Sequence, residues 1–220
     1  LDAELPQQLA NQPAVFYPLG RSDAADAQLR SWLDAVRTQQ RSGVAAPARV
    51  IDVTALLDAQ RVIKDPYELD VMRRAAQISA GAHRRAMQRC APGLREYQLE
   101  AELLHEFRWH GAQSVAYNSI VATGANACIL HYRAGNTELR AGELCLIDAG
   151  CELDGYAADI TRTFPVDGRF TGPQRALYDL VVAAQQAAIG ATKPGNHFMQ
   201  AHDAAVAVLA QGLLDCGLLD

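Results

Sequence analysis

CLIDAGCELDGYAADITRTF, Cys145–Phe164, decides how this chain folds. Two strand-like arms, rich in β-branched and aromatic residues, flank Asp154-Gly155, a strong two-residue hairpin signal. With those two residues as the loop, Asp148 falls opposite Thr161. Opposed residues share a face, and so do residues two apart on one strand. Asp159 stands two from Thr161, so Asp148 and Asp159 become diagonal neighbours on one side of the ribbon, with Cβ atoms about 5.5–8 Å apart. A one-residue slip would send them to opposite faces.

Charge on an apolar strand is costly unless something compensates it. One acid could stay protonated, as in a dyad sharing a proton. Both could face solvent. Or the two could bridge a pair of divalent ions about 3.5–4 Å apart, the spacing of hydrolytic two-metal sites. The odd–even position of Arg162 puts it on the other face, so it cannot neutralise them directly. Cys145 and Cys151 are on that other face too and are expected to pack rather than ligate. The hairpin geometry alone leaves all three compensations open.

Upstream, SVAYNSIVATG (114–124) and ILHYRAGN (129–136) read as further antiparallel strands. KDPYELDVMRRAAQISAGAHRRAMQRC (64–90) opens with Asp65 before Pro66 and Glu68 three places later. That is an N-cap, a proline at the first helical position and a partial capping box. Leu69, Met72, Ala76, Ile78 and Met87 then recur at helical spacing, which predicts a long helix ended by Pro92-Gly93. A second amphipathic helix covers 94–111 and closes at Gly111. After Gly172 the texture returns to helix, then Pro194-Gly195, then helix. Helix, Pro-Gly, helix thus occurs twice, which predicts a pseudo-duplication whose second strand block would follow Asp220.

Before residue 62 the chain predicts a short strand in AVFYPLG (14–20), a helix over 26–40, and a strand running into a helical turn over 50–61. Residues 1–61 read as the C-terminal part of an α/β domain, and 62–220 as a separate domain. The chain opens at Leu1 rather than Met, and its second repeat stops at Asp220 before a strand block, so truncation at both ends is expected.

Composition narrows the function classes. Half of the 220 residues are hydrophobic, enough for a sizeable core. A net charge of -5 with dispersed signs and no basic run argues against nucleic acid. No 18-residue uncharged apolar stretch occurs, which argues against a membrane span. Five irregularly spaced cysteines without a CxxC pair suit reduced thiols in the cytoplasm.

YNSIVATGANACILHY and LIDAGCELDGYAADITRTFPV resemble the metal-binding half of Xaa-Pro aminopeptidase (aminopeptidase P), of the creatinase and methionine aminopeptidase pita-bread fold. KDPYELDVMRRAAQIS and GPQRALYDLVVAAQ fit the same family, so the resemblance spans about 62–220, and residues 1–60 resemble the end of that family's N-terminal domain. It implies an α+β class: the first half of a pita-bread domain, an antiparallel curved sheet covered by helices. It implies two divalent ions, with manganese the usual choice, Asp148 chelating one and Asp159 bridging both. The family's remaining His and two Glu ligands would lie beyond residue 220. His131 matches an active-site histidine that hydrogen-bonds substrate or the developing tetrahedral centre; on bare sequence it reads as a structural histidine. His83, His105, His110, His197 and His202 match no family site.

The expected activity is hydrolysis of the N-terminal Xaa-Pro bond of peptides by a hydroxide bridging two metals. The alternatives are an Xaa-Pro dipeptidase (prolidase) and a pita-bread binding module that has lost catalysis; the Asp pair argues against metal-free creatinase. A cytoplasmic homo-oligomer is expected at full length, and the 220-residue piece alone is expected to be inactive and metal-poor, with an apolar sheet edge exposed.

Overall fold

A computed structural model describes residues 1–219, and the helix start read at Asp65 closes on itself there. Asp65 Oδ1 accepts the Glu68 amide at 2.8 Å, and Glu68 Oε2 accepts the Asp65 amide at 2.7 Å. The chain divides into two compact units, Leu1–Leu69 and the part from Asp70 onward.

The first unit contains α1 (Leu5–Leu9), β1 (Val15–Phe16), α2 (Asp23–Arg37), β2 (Val50–Ile51) and α3 (Thr54–Val62). β1 and β2 pair in parallel, Val15 with Val50 and Phe16 with Ile51. A parallel pair needs a long crossover, and α2 supplies it, burying Leu29, Leu33 and Val36.

α4 (Pro66–Arg89) and α5 (Glu96–Trp109) precede the sheets. The buried stripe of α4 is Val71, Ala75, Ser79, Ala82, His83 and Ala86. It differs from the stripe predicted from the larger apolar residues: Leu69 and Met72 are exposed. Small side chains line the inner face, so the helix backbone comes close enough for Ser79 and His83 to bond the sheet's main chain.

Six short strands form two antiparallel sheets. β4 (Ile120–Thr123), β5 (Leu144–Ala149) and β8 (Ile160–Pro165) make one, with β5 central. β3 (Ser114–Val115), β6 (Cys151–Leu153) and β7 (Tyr156–Ala157) make the other, with β6 central. Asp148 pairs with Thr161 and Leu153 with Tyr156, the register that an Asp154-Gly155 loop demands. Both loop residues have positive φ, 49° and 83°, as a type I′ turn requires. Cys145, Ile147, Ala149 and Cys151 point into the core with Leu99, Leu103 and Phe107 of α5.

Gly150 joins β5 to β6. Ser79 Oγ accepts the Cys151 amide at 3.1 Å, and His83 Nε2 meets the Ala149 carbonyl at 3.0 Å. Two side chains one turn apart on α4 thus bracket Gly150. The Ala158 carbonyl presses on Gly150 so closely that a Cβ there would sit 1.4 Å from it. Burial pushes the His83 imidazole below its ordinary range, so a neutral ring sits behind the strand.

ILHYRAGN is not a strand. Residues 129–136 form an irregular loop after a 3₁₀ turn, Gly124–Cys128. The Tyr132 hydroxyl and the Gly135 amide bond Glu96 of α5, and the Ile129 and Tyr132 amides bond Asn126 and Ile129, rather than a ladder. α6 (Gly172–Ala191) and α7 (Phe198–Asp215) follow the sheets, and α6 starts on a capping box of Thr171 and Gln174. Among the described residues no helix is long and apolar enough to cross a membrane.

Candidate metal centre

Alternation along β5 sends Cys145, Ile147 and Ala149 inward and leaves Asp148 on the opposite face, half-buried. Asp159 lies opposite Gly150, between β7 and β8. The two acids converge on one group. Tyr117 Oη lies 2.5 Å from Asp148 Oδ1 and 3.0 Å from Asp159 Oδ1. Cys145 and Cys151 are buried on the far side, in the core.

Asp148, Asp159 and Tyr117 share a cavity of about 350 Å³ with His131, Asn118 and Arg133. His131 is exposed and holds a left-handed backbone, φ 54°. The other histidines lie elsewhere. His83 backs the strand, His105 stacks on Trp109, His110 meets Glu106, and His197 and His202 belong to the start and body of α7.

A phenol carries one proton. It can donate to one of the two carboxylates at a time, and the other remains an acceptor without that donor. Burial first, and then the hydrogen bonds to Asp148 and Asp159, raise the Tyr117 hydroxyl well above its ordinary range, so it stays a donor. Among the described residues no lysine or arginine forms an ion pair with either acid, although Arg133 lines the same cavity. Two carboxylates with one proton between them leave net negative charge in a concave site, which suits a hard divalent cation. The acids are two ligands; among the described residues no cluster of three or more His, Cys, Asp or Glu completes a cation site.

Tyr117 escaped the sequence reading because its partners lie 31 and 42 residues away. Its position just before β4 is the only local hint. Tyr117→Phe removes the donor and leaves the ring, so it is expected to weaken divalent-ion affinity by about 10–100-fold, the usual cost of losing a supporting hydrogen bond at a metal site. Isothermal titration of the metal-free full-length protein with Mn²⁺ measures it; unchanged affinity would show the phenol to be incidental.

Residues 70–218 match the Peptidase_M24 description, metallopeptidase family M24. The chain belongs to this family. It is 42% identical over 219 residues to a Xaa-Pro aminopeptidase of Escherichia coli, covering 100% of this chain and 50% of that protein. A Haemophilus influenzae Xaa-Pro aminopeptidase is 42% identical over 215 residues, 98% of this chain and 47% of the relative. The structure of Pseudomonas aeruginosa aminopeptidase PepP superposes with a TM-score of 0.96 at 48% identity, covering all of this chain and 50% of its own. A Glu→Ala variant of E. coli aminopeptidase P in complex with substrate superposes at 0.94, with 42% identity and the same coverage. The chain spans about half the length of these M24 relatives. Its α+β layout, antiparallel sheets with covering helices, is a partial pita-bread fold.

Proposed function

We propose that this M24 chain carries one half of the active site of a metallo-aminopeptidase that removes the N-terminal residue from peptides with proline second. The observation that supports this most is the meeting of Asp148 and Asp159 at one phenol oxygen, in a cavity that also holds His131. A zinc-substituted E. coli aminopeptidase P has been solved with product, which supports divalent ions in the family's sites.

Asp148 and Asp159 would hold the divalent ions, with a His and two Glu supplied by the part of the relatives this chain does not span. Divalent ions bound here would polarise the scissile carbonyl and bring the pKa of water toward neutrality. Oxygen donors with one imidazole suit manganese, the ion we assign. Tyr117 donates to one acid at a time and holds the two carboxylates around its hydroxyl. The His131 imidazole N–H, exposed to the cavity, donates to the oxygen that gains charge as the carbonyl becomes tetrahedral. We place the full-length protein in the cytoplasm as a homo-oligomer.

Two tripeptide series, Xaa-Pro-Yaa and Xaa-Ala-Yaa, and the dipeptide Gly-Pro test the reading on the full-length protein. Release of Xaa from the first series alone, stopped by a chelator and restored by Mn²⁺, is expected. Cleavage of Gly-Pro but not of longer peptides would make the enzyme a prolidase. Activity indifferent to chelation would end the metal reading. His131→Ala is expected to lower kcat by about 100-fold, the lower end for a single oxyanion donor.

A further inference from the structure

Glu96 has no solvent exposure, and four hydrogen bonds converge on its carboxylate. Oε1 accepts the Thr123 amide and Asn126 Nδ2, both at 2.9 Å. Oε2 accepts the Tyr132 hydroxyl at 2.8 Å and the Gly135 amide at 3.0 Å. A carboxylate offers about four acceptor sites, so this one is filled. Among the described residues no lysine or arginine pairs with it. Burying a carboxylate without a cation is costly, and only a full set of donors offsets it.

All four donors come from one segment, 123–135, and His131 is inside it. The far end of that segment is strapped to the same helix turn. The Glu96 amide donates to the Thr137 carbonyl at 3.1 Å, the Tyr97 amide to Gly135 at 3.2 Å, and the Arg95 guanidinium to Asn136 at 2.6 Å. The open first-turn amides of α5 and the open main chain of the loop therefore satisfy each other. His131 itself has φ 54°, which a non-glycine residue keeps only when its surroundings over-determine it. Its neighbour Tyr132 is bonded to Glu96 directly.

We propose that Glu96 is the positioning residue for His131: a buried carboxylate in the first turn of α5 gathers the 123–135 segment and aims the imidazole into the cavity lined by Asp148 and Asp159. This rests on the role given to His131 above. Glu96 touches neither acid, so it acts on the histidine and not on the cation site.

The test is a double-mutant cycle in the metal-loaded full-length protein, assayed on a Xaa-Pro peptide. Glu96→Gln turns one oxygen into a donor, so that either the Thr123 or the Gly135 main-chain N–H loses its acceptor. It is expected to lower kcat about tenfold at unchanged metal content, by analogy with lost supporting partners at other sites. Asn126→Ala removes one of the four donors, lies outside the cavity and is expected to cost about threefold, which serves if Glu96→Gln does not fold. In the His131→Ala background neither change lowers kcat further. Hydrogen exchange at Thr123 and Gly135 accelerates in Glu96→Gln while that at Ile147 in β5 does not. Equal losses in both backgrounds, or unchanged exchange at Thr123 and Gly135, overturn the proposal while leaving the His131 role standing. A His131→Ala enzyme with wild-type kcat removes that role and the positioning role with it. A wild-type protein inert on every Xaa-Pro peptide ends the peptidase reading, and exchange at the two amides still decides whether Glu96 holds the loop.

Discussion

Asp159→Asn in the full-length protein is expected to empty the cation site and lower kcat/KM by more than about 100-fold. Losing a residue that merely supports a metal ligand typically costs about 10–100-fold, and Asp159 is read as a ligand to both ions. The substitution keeps shape and removes charge. Without metal, the variant is expected to melt no lower than the metal-free wild type, because two like charges around a single phenol proton become one. With excess Mn²⁺ only the wild type gains, by about 2.7 kcal/mol when the free ion stands at 100 times its Kd. Metal analysis and paired melting curves read both effects. A variant that retains full metal stoichiometry would show that Asp159 does not ligate.

Gly150→Ala is expected to be the most destabilising single-atom addition in the molecule. The new Cβ would fall 1.4 Å from the Ala158 oxygen and 2.5 Å from its carbon, both main chain. No side-chain rotation relieves that, so the hairpin must open, at a cost above about 4 kcal/mol, in the range reserved for a few severe mechanisms. Gly155→Ala is the control. It has φ 83° and open space around it, so only backbone strain of about 1–2 kcal/mol applies. Urea titration of the two variants separates them, and a Gly150→Ala protein within about 1 kcal/mol of wild type would mean that the hairpin relaxes freely. Opening the hairpin there also moves Asp159 away from Asp148, so the variant's metal affinity should fall with its stability.

Several features were legible because they are local. The Asp65–Glu68 capping box needs residues three apart, and the type I′ loop needs two residues that tolerate positive φ. The loop then sets the register, and the register places both acids on one face. ILHYRAGN misled for the complementary reason. Its β-branched and aromatic letters are those of a strand, but its Tyr132 hydroxyl and Gly135 amide find Glu96, 36 and 39 residues away. The inner face of α4 was misjudged likewise: hydrophobic size points to Leu69 and Met72, whereas close approach to a sheet selects Ala75, Ser79 and Ala82.

By itself the sequence determined the start of α4, the hairpin and the shared face of Asp148 and Asp159, since caps, turns and the two-residue strand period act over a few positions. Tertiary structure alone decided that Tyr117 joins the acids, that Ser79 and His83 bond the main chain on either side of Gly150, and that Glu96 gathers the loop of His131. Each of these is a polar group in or near the core seeking a partner dozens of residues away. Which partner it meets depends on how helices and sheets come together, and no local pattern encodes that.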